Sequence, residues 1–254
     1  MLDKSKICVI IPCYNNEKNV ADVALSVVQY SDNVIVVLDG CTDNSAQSLQ
    51  TISDKITILS YFPNKGKGAA LNYAFDYANH HNFDYAITLD ADGQHFASDL
   101  PLFFEAIDTN YGAMIVGSRY LKHDNMPSGN VFANKFSNFW FTVQTGKKLP
   151  DTQTGYRAYP IFKMKRLRSF SKRYEAELEY LQRMTWKNIK LISIPIQVYY
   201  PPEGERITHF RKGKDFARIS LLNTIMCFVA IFYGYPSMLL RKIWTSLRCD
   251  KTKV

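Results

Sequence analysis

Short apolar runs alternate with amphipathic segments over the first half of the chain. The runs are rich in β-branched residues and are bounded by polar or Gly-containing stretches, which is typical of buried strands. Between them, apolar positions recur at helical spacing. This alternation indicates an α/β fold, with crossover units on a mostly parallel sheet that is covered by helices on both faces. The apolar runs are KICVIIP, NVIVVLD, ITILSY, YAITLD and GAMIVGS.

The pattern changes after Arg119. An aromatic, Asn-rich stretch, NVFANKFSNFWFTVQTG, predicts a helix, and the loop LPDTQTGYR follows it. RYEAELEYLQRMTW then predicts a further helix and KLISIPIQVYY a strand. Neither a repeat nor linker-like composition separates this half from the first. We therefore predict one α/β domain over residues 1–212 and a basic, apolar segment over residues 213–254.

The C-terminal segment has the composition of a membrane contact. Residues 219–240 contain no charged side chain, and about 20 apolar residues suffice to span a bilayer. Polar Asn223 and Ser237 and the helix breaker Pro236 interrupt the run, and basic residues flank both of its ends. These features favour a segment that lies on an anionic membrane surface, or re-enters from it, over one that spans the membrane. A buried packing helix is the alternative.

The basic excess narrows the class of partner. With 254 residues, 46% of them hydrophobic, the chain can form a substantial core. Its net charge of +8 is concentrated in the C-terminal half and suits nucleic acid, an anionic membrane surface or a phosphorylated substrate. No nucleic-acid recognition motif accompanies it, so we do not expect nucleic acid as a partner. Five cysteines without a C-x-x-C pair indicate neither disulfides nor zinc and fit a reducing cytoplasm.

The stretch YAITLDADGQH places two carboxylates where a buried strand ends. Ligands of such sheets collect at the carboxyl ends of the strands. Asp90 and Asp92 point to the same side of an extended chain, and a cation between them relieves their repulsion. Mg²⁺ or Mn²⁺, with Gln94 as a further oxygen ligand, would anchor a diphosphate there. A simple polar turn is the alternative interpretation of the same stretch.

Further motifs in register extend this interpretation. VIIPCYNNEKNV, VVLDGCTDNS, PNKGKGAALNYAF, TLDADGQH and GSRY occur in this order, and DTQTGYRAYP and RYEAELEYL follow them. Over residues 7–210, approximately, the chain resembles family 2 glycosyltransferases with the GT-A fold, and most of all their dolichol-phosphate mannose synthase-like branch. The resemblance implies a Rossmann-like, mostly parallel sheet flanked by helices.

The resemblance also implies the residues of a donor site. The base and ribose of a nucleoside-diphosphate sugar would be held by Pro12, Tyr14, Glu17 and Asp39. The family often has two adjacent acids where this chain has Leu38 before Asp39, so UDP and GDP both stay open. For Asp39, a helix N-cap or a turn residue is the alternative role.

In the same comparison, Asp92, assisted by Asp90 and Gln94, matches the metal site that neutralises the diphosphate. Lys67 lies in a Gly-flanked turn whose backbone can approach a phosphate closely. Arginine suits phosphate oxygens because its guanidinium can donate two parallel hydrogen bonds. The arginines expected near phosphate are Arg119, Arg157, Arg206 and Arg211, and His209 lies beside the last two. A membrane-facing basic patch is the alternative for the group from Arg206 to Arg211.

The transfer step needs a base for the acceptor and stabilisation of the leaving group. We expect Arg157 to assist the leaving group and Asp151 to act as the base. Glu175 and Glu179 are rivals to Asp151, since they share one face of a predicted helix, although they also fit a solvated charged stripe. A lipid phosphate, which is already ionised, would need little help from any base.

The resulting hypothesis is an inverting, metal-dependent glycosyltransferase of cell-envelope glycoconjugates. It moves one sugar from a nucleoside-diphosphate sugar to a lipid-linked or membrane-borne acceptor at the cytoplasmic face of the membrane. QRMTW departs from the Q-x-x-R-W motif of processive polysaccharide synthases because Thr185 replaces the arginine, which favours single-sugar transfer. The alternatives are a nucleotidyltransferase of related fold and a catalytically silent partner that docks on membranes.

Overall fold

The computed structural model of the chain describes residues 2–119, 128–165, 167–200 and 212–251. Within these ranges seven strands form one sheet. The strands are β1 (Ile7–Cys13), β2 (Val34–Asp39), β3 (Thr57–Tyr61), β4 (Tyr85–Thr88), β5 (Met114–Arg119), β6 (Arg157–Pro160) and β7 (Leu191–Ile196).

Helices precede, separate and follow these strands. Most of them lie where the sequence predicts a helix, although the second is only one turn long. They are α1 (Val20–Val28), α2 (Ser45–Ser48), α3 (Lys67–His80), α4 (Leu100–Thr109), α5 (Ser128–Thr145), α6 (Glu175–Trp186), α7 (Lys212–Val229) and α8 (Tyr235–Lys251), with a π-helical turn, Ala230–Gly234, between the last two.

The sheet is mostly parallel, as predicted, and its order is β3-β2-β1-β4-β6-β5-β7. β1 pairs in parallel with β2 and β4, β2 with β3, and β5 with β7. β6 is antiparallel to both of its neighbours. The sequence did not predict this strand, because its four residues end in Pro160 and continue a loop motif without an apolar run of their own.

Alternate residues of the central strands pack on opposite faces of the sheet. Val9 and Ile11 belong to one apolar layer, which also contains Phe103 of α4. Cys8 and Ile10 belong to the other layer, which α3 and α6 cover. Because helices cover both faces, β1 is buried almost completely, which explains its continuous apolar sequence.

The strand order also locates the ligand-binding edge. β2 lies on one side of β1 and β4 on the other. The connections that follow β1 and β4 therefore lead towards opposite edges of the sheet. In sheets of this kind the crevice at the carboxyl ends of such strands is the ligand site. The loops after β1 and β4 are joined there, because Asn16 Nδ2 donates to the carbonyl oxygen of Ala91 (2.7 Å).

The C-terminal segment forms one continuous helix through Pro236. The interruption expected at this residue is absent, because the π-turn Ala230–Gly234 precedes it and accommodates the missing backbone donor. Ala217–Trp244 is long and apolar enough to cross a membrane, and only 22% of its most apolar window is buried in the protein. The alternative of a buried packing helix therefore fails for most of this surface.

One side of this helix nevertheless packs against α5 and α6. The indole of Trp186, at the end of α6, packs against Met226 and Ala230. A Cβ on Gly234 would lie 2.6 Å from the same indole, so only glycine permits this approach. Gln144 of α5 donates to the backbone carbonyl oxygen of Asn223 (3.0 Å). Trp186 belongs to the QRMTW stretch, which thus holds the C-terminal helix and does not line the carboxyl edge of the sheet.

Candidate active site

β4 delivers two carboxylates to the carboxyl edge of the sheet. Beyond the strand, Asp90 and Asp92 are half-buried in a turn in which Gly93 has a positive φ of 74°. The polar-turn interpretation is therefore correct as geometry, because a glycine adopts this conformation without strain. It does not account for the charges, since a turn needs no second buried carboxylate.

The two carboxylates have different surroundings. Asp90 Oδ1 lies 2.6 Å from Lys67 Nζ. Burial would raise the pKa of Asp90, but the Lys67 ammonium outweighs it and lowers the pKa. Asp92 Oδ1 accepts only the backbone N–H of Gln94 (3.0 Å) among the described residues. Burial and the charge of Asp90 raise the pKa of Asp92 to about 6. The negative charge of Asp92 is therefore only partly compensated by its neighbours.

These residues fit a hard divalent cation. No group of three His, Cys, Asp or Glu side chains that could hold a metal is found in the described ranges. Mg²⁺ commonly binds proteins through one or two carboxylates and completes its shell with water and substrate phosphates, so Asp90 and Asp92 suffice. The uncompensated charge at Asp92 is what such an ion would neutralise. Gln94 is half-buried beside them and carries an amide oxygen that could join.

Lys67 and Asp39 belong to one network before α3. The Asp39 carboxylate is buried and accepts hydrogen bonds from Asn64 Nδ2 (2.9 Å) and from the backbone N–H groups of Lys65 (2.8 Å) and Gly66 (2.9 Å). It thus fixes the turn that places Lys67 at the start of α3. This is the turn role given above as the alternative for Asp39. The carboxylate that was expected to bind the base and ribose therefore accepts three hydrogen bonds within the protein.

The loop after β1 is tied to the loop after β2. Glu17 Oε2 accepts the backbone N–H of Asn44 (2.9 Å), and the backbone N–H of Glu17 donates to Asp43 Oδ2 (3.0 Å). Pro12 is half-buried and Tyr14 is exposed at the same edge of the sheet. The structure therefore places Pro12, near the end of β1, and Tyr14 and Glu17, in the loop that follows it, at the same edge beside β4.

Asp151 and Arg119 form a second charged centre at this edge. The fully buried Asp151 accepts from Arg119 Nε (2.6 Å) and NH2 (3.0 Å), and from Asn134 Nδ2 (2.6 Å). Burial would raise the pKa of Asp151, but Arg119 outweighs this and lowers it below its ordinary value. A carboxylate with these partners is a poor proton acceptor.

Arg157 lies beneath the edge and is not exposed to it. Its side chain is fully buried, and its Nε, NH1 and NH2 donate to the carbonyl oxygens of Thr154, Glu177 and Thr152, respectively. These contacts use three of its five N–H donors, and no part of the side chain is exposed at the edge where a phosphate was expected. We therefore correct the expectation: Arg157 supports the DTQTG loop from below.

The helical carboxylates differ from the sequence expectation too. Glu179 accepts from Ser169 Oγ (2.7 Å) and from the backbone N–H groups of Phe170 and Ser171, so it holds a loop. Glu175 is half-buried, and its side chain makes no hydrogen bond or ion pair with the described residues. Arg206, His209 and Arg211 lie outside the described residues.

Two residues of the site were missed. Glu177 Oε1 lies 3.0 Å from Lys67 Nζ, on the helix face opposite to Glu175 and Glu179. The presence of three acids at alternate positions of the predicted helix was its only signal. His95 packs its ring on Tyr156, and burial lowers the pKa of the imidazole to about 4, so that the ring is neutral. Its position directly after Gln94 could have identified it.

Solved structures define the class of fold. A glucosyl-3-phosphoglycerate synthase from Mycobacterium tuberculosis, solved with Mn²⁺, uridine diphosphate and phosphoglyceric acid, matches this chain with a TM-score of 0.64. The match covers 88% of this chain and 78% of that one at 17% sequence identity. At this identity the likeness shows the fold alone, and it agrees with the GT-A-type sheet that the sequence predicted.

The chain belongs to glycosyl transferase family 2, whose sequence profile matches residues 8–169. It is 29% identical over 221 residues to a UDP-N-acetylglucosamine–dolichyl-phosphate N-acetylglucosaminyltransferase of Methanococcus voltae, covering 79% of this chain and 88% of that protein. It is 28% identical over 160 residues to a polyprenol monophosphomannose synthase of Mycolicibacterium smegmatis, covering 59% and 60%, respectively. The predicted family, its dolichol-phosphate mannose synthase-like branch and the assignment as a glycosyltransferase are confirmed.

Proposed function

We propose that this glycosyltransferase moves one sugar, with inversion, from a nucleoside-diphosphate sugar to a polyprenyl-phosphate acceptor. The observation that carries the proposal is the pair Asp90 and Asp92, which lies at the ligand edge of the sheet with its negative charge only partly compensated. Mg²⁺ or Mn²⁺ bound there would neutralise the diphosphate as it leaves. The relatives named for dolichyl-phosphate and polyprenol support a lipid phosphate as the acceptor.

The state of Asp151 favours a phosphate acceptor. A hydroxyl acceptor has to lose its proton during transfer, and Asp151, paired with Arg119, is poorly suited to take it. A lipid phosphate is already ionised at neutral pH and attacks without a base. Arg119 is then available as a cationic group near the incoming phosphate, and Asp151 is the residue that orients it.

For the donor, we propose that the loop of residues 12–17 recognises the base. Three hydrogen bonds from the turn before α3 already occupy the Asp39 carboxylate, whereas Glu17 accepts one, which supports recognition of the base by Tyr14, Glu17 and the backbone of this loop. Both UDP and GDP remain candidates. We also propose that a single sugar is transferred, which the packing of Trp186 against the C-terminal helix supports, because the QRMTW stretch does not line the carboxyl edge of the sheet.

We propose that the enzyme works at the surface of an anionic membrane, at its cytoplasmic face. Basic Arg218, Arg241 and Lys242 are exposed at the two ends of the apolar helix. The aromatic face of α5 adds further exposed apolar surface, with Phe132 and Phe139 more than half exposed. Exposed apolar residues of the C-terminal helix are Leu221, Ile225, Phe228, Ile231, Phe232, Leu239, Leu240, Ile243 and Trp244.

The test uses the full chain in detergent with undecaprenyl phosphate and radiolabelled UDP- and GDP-sugars. With Mn²⁺ or Mg²⁺, one labelled donor should yield an organic-soluble product and release nucleoside diphosphate. Chelation of the metal should stop the reaction. Release of pyrophosphate would instead identify a nucleotidyltransferase, and absence of metal-dependent nucleotide binding in calorimetry would exclude the proposal. Inversion is checked by the anomeric configuration of the product in NMR.

A further inference from the structure

Lys67 lies between two carboxylates. Its Nζ is 2.6 Å from Asp90 Oδ1 and 3.0 Å from Glu177 Oε1. The side chains of Lys67 and Glu177 are 13% and 8% exposed, so the ammonium cannot be solvated freely in place of these contacts. Asp90 and Glu177 raise the pKa of Lys67 above its ordinary value although burial alone would lower it. The ammonium is therefore in direct contact with a proposed metal ligand and with a second carboxylate.

The surroundings restrict where this ammonium can move. A Cβ on Gly155 would lie 2.6 Å from Asp90 Oδ2 and 3.0 Å from Lys67 Nζ, so the DTQTG loop closes one side. The backbone N–H of Gly68 donates to the carbonyl oxygen of Lys172 (2.8 Å), which fixes the start of α3. Arg157 NH1 donates to the carbonyl oxygen of Glu177 (2.5 Å), which fixes the start of α6. The nearest alternative partner for Lys67 is thus Glu177.

Glu177 has unused capacity for this cation. Its Oε1 atom is buried and makes no hydrogen bond of good geometry with the described residues, although Lys67 Nζ is at 3.0 Å. A buried carboxylate without such a bond is costly unless it serves a partner. A divalent cation that binds Asp90 competes with Lys67 for the same carboxylate. Glu177 offers the displaced ammonium a second carboxylate without taking it out of the site.

We propose that Glu177 is a positioning residue that takes over the Lys67 ammonium when a divalent cation binds Asp90. Metal binding is then an exchange of cations at Asp90 and does not leave a buried lysine unpaired. Held by Glu177, Lys67 would then keep its other N–H groups for the diphosphate of the donor. This inference rests on the proposed metal-dependent function, and its test separates the two.

The test measures Mn²⁺ binding to the full chain without nucleotide, from the EPR signal of free Mn²⁺. Glu177→Gln should weaken Mn²⁺ binding about tenfold, because Lys67 then has only Asp90 as a charged partner and competes harder for it. Glu175→Gln removes the same charge from the same helix turn without touching Lys67, and it should change the affinity less than about twofold.

A second background shows whether Glu177 acts through Lys67. Lys67→Met should tighten Mn²⁺ binding, since the competing ammonium is gone. In this background Glu177→Gln should change Mn²⁺ affinity no more than Glu175→Gln does. If Glu177→Gln changed the Mn²⁺ affinity equally with and without Lys67, Glu177 would act only by long-range electrostatic attraction of the cation. That result would overturn the inference.

The remaining outcomes are also decisive. If the wild type binds no Mn²⁺ either alone or with UDP or GDP, the proposed function fails. If the wild type binds Mn²⁺ and Glu177→Gln binds it equally, only the exchange fails. Should thermal melting show that Glu177→Gln does not fold, Glu177→Asp replaces it: this variant keeps the charge but is one methylene shorter, and it should bind Mn²⁺ with intermediate affinity.

Discussion

Asp151 and Asp92 are aspartates at the same edge of the sheet, but their surroundings are opposite. Asp151 is fully buried and accepts hydrogen bonds from Arg119, Asn134 and the backbone. Asp92 accepts one backbone N–H among the described residues and faces the charge of Asp90. The pKa is lowered for Asp151 and raised for Asp92. The fully hydrogen-bonded carboxylate of Asp151 stabilises the structure, whereas the carboxylate of Asp92, with fewer partners, is suited to bind a cation.

The largest effect is expected at the paired centre. Asp151→Ala leaves the guanidinium of Arg119 without its carboxylate in a mostly buried position, and we expect a loss of about 3–5 kcal/mol in the free energy of unfolding. Urea denaturation measures it. In the double variant Arg119→Met with Asp151→Ala the unpaired charge is gone, so part of the loss should be recovered. A loss below about 1 kcal/mol in the single variant would contradict the comparison.

Asp92→Asn should have the reverse profile. Its turnover should fall about a hundred- to a thousandfold, because one of two anionic ligands for the proposed metal is removed. Its melting temperature without metal should stay the same or rise, since the repulsion with Asp90 disappears. Asp108→Asn on the exposed side of α4 is the matched control and should leave turnover unchanged. Wild-type turnover in Asp92→Asn would remove the metal assignment.

The pH dependence of stability sharpens the same contrast. The folded pKa of Asp92, about 6, lies above the ordinary value of 3.8, so ionisation of Asp92 costs stability at neutral pH. Asp92→Asn should therefore be more stable than the wild type at pH 7.5, by roughly 3 kcal/mol at most. As the pH falls through 6 towards 3.8, the wild type regains this stability and the difference disappears. Melting curves in EDTA at several pH values test this, and a difference that grows towards acid would refute it.

The smallest effect is expected from Gly155→Ala. The added methyl would lie 2.6 Å from Asp90 Oδ2, so Asp90 and Lys67 have to shift slightly. We expect turnover to fall about tenfold, as for a small misplacement of reacting groups. Gly213→Ala is the control, because a Cβ there meets nothing within 4 Å. Equal turnover in the two variants would mean that the position of Asp90 is not critical.

The sequence predicted the parts of the fold that depend on local pattern. Continuous β-branched runs identified β1, β2 and β4 because these strands are buried on both faces. β6 was not predicted because its place in the sheet depends on pairing with β4 and β5 and not on the pattern of its own four residues. Pro236 was expected to break the C-terminal segment, but the π-turn before it keeps the helix continuous.

The site was predictable to the extent that chemistry follows spacing. The alternation of Asp90 and Asp92 located the candidate metal site. Arg157 was misplaced because only the folded chain shows that three carbonyl oxygens surround its guanidinium. Glu177 was missed because only Glu175 and Glu179, which share one face of the predicted helix, were considered. The deciding partner of Glu177, Lys67, is distant in sequence, whereas two of the partners of Arg157 are close in sequence and only the folded loop turns their carbonyl oxygens towards it.

The π-turn gives the C-terminal helix one place where its length can change without changing which side faces outward. Each residue of a regular α-helix advances the azimuth by about 100°, so a deletion within α8 would rotate every later residue by about that angle relative to the Trp186 contact. A π-turn holds about one residue more than an α-helical turn, so deleting one residue from Ala230–Gly234 would restore regular α-helix and leave the azimuth of α8 nearly unchanged. A single codon lost there would therefore keep the same flank of α8 towards lipid, whereas one lost a few residues later would turn another flank outward.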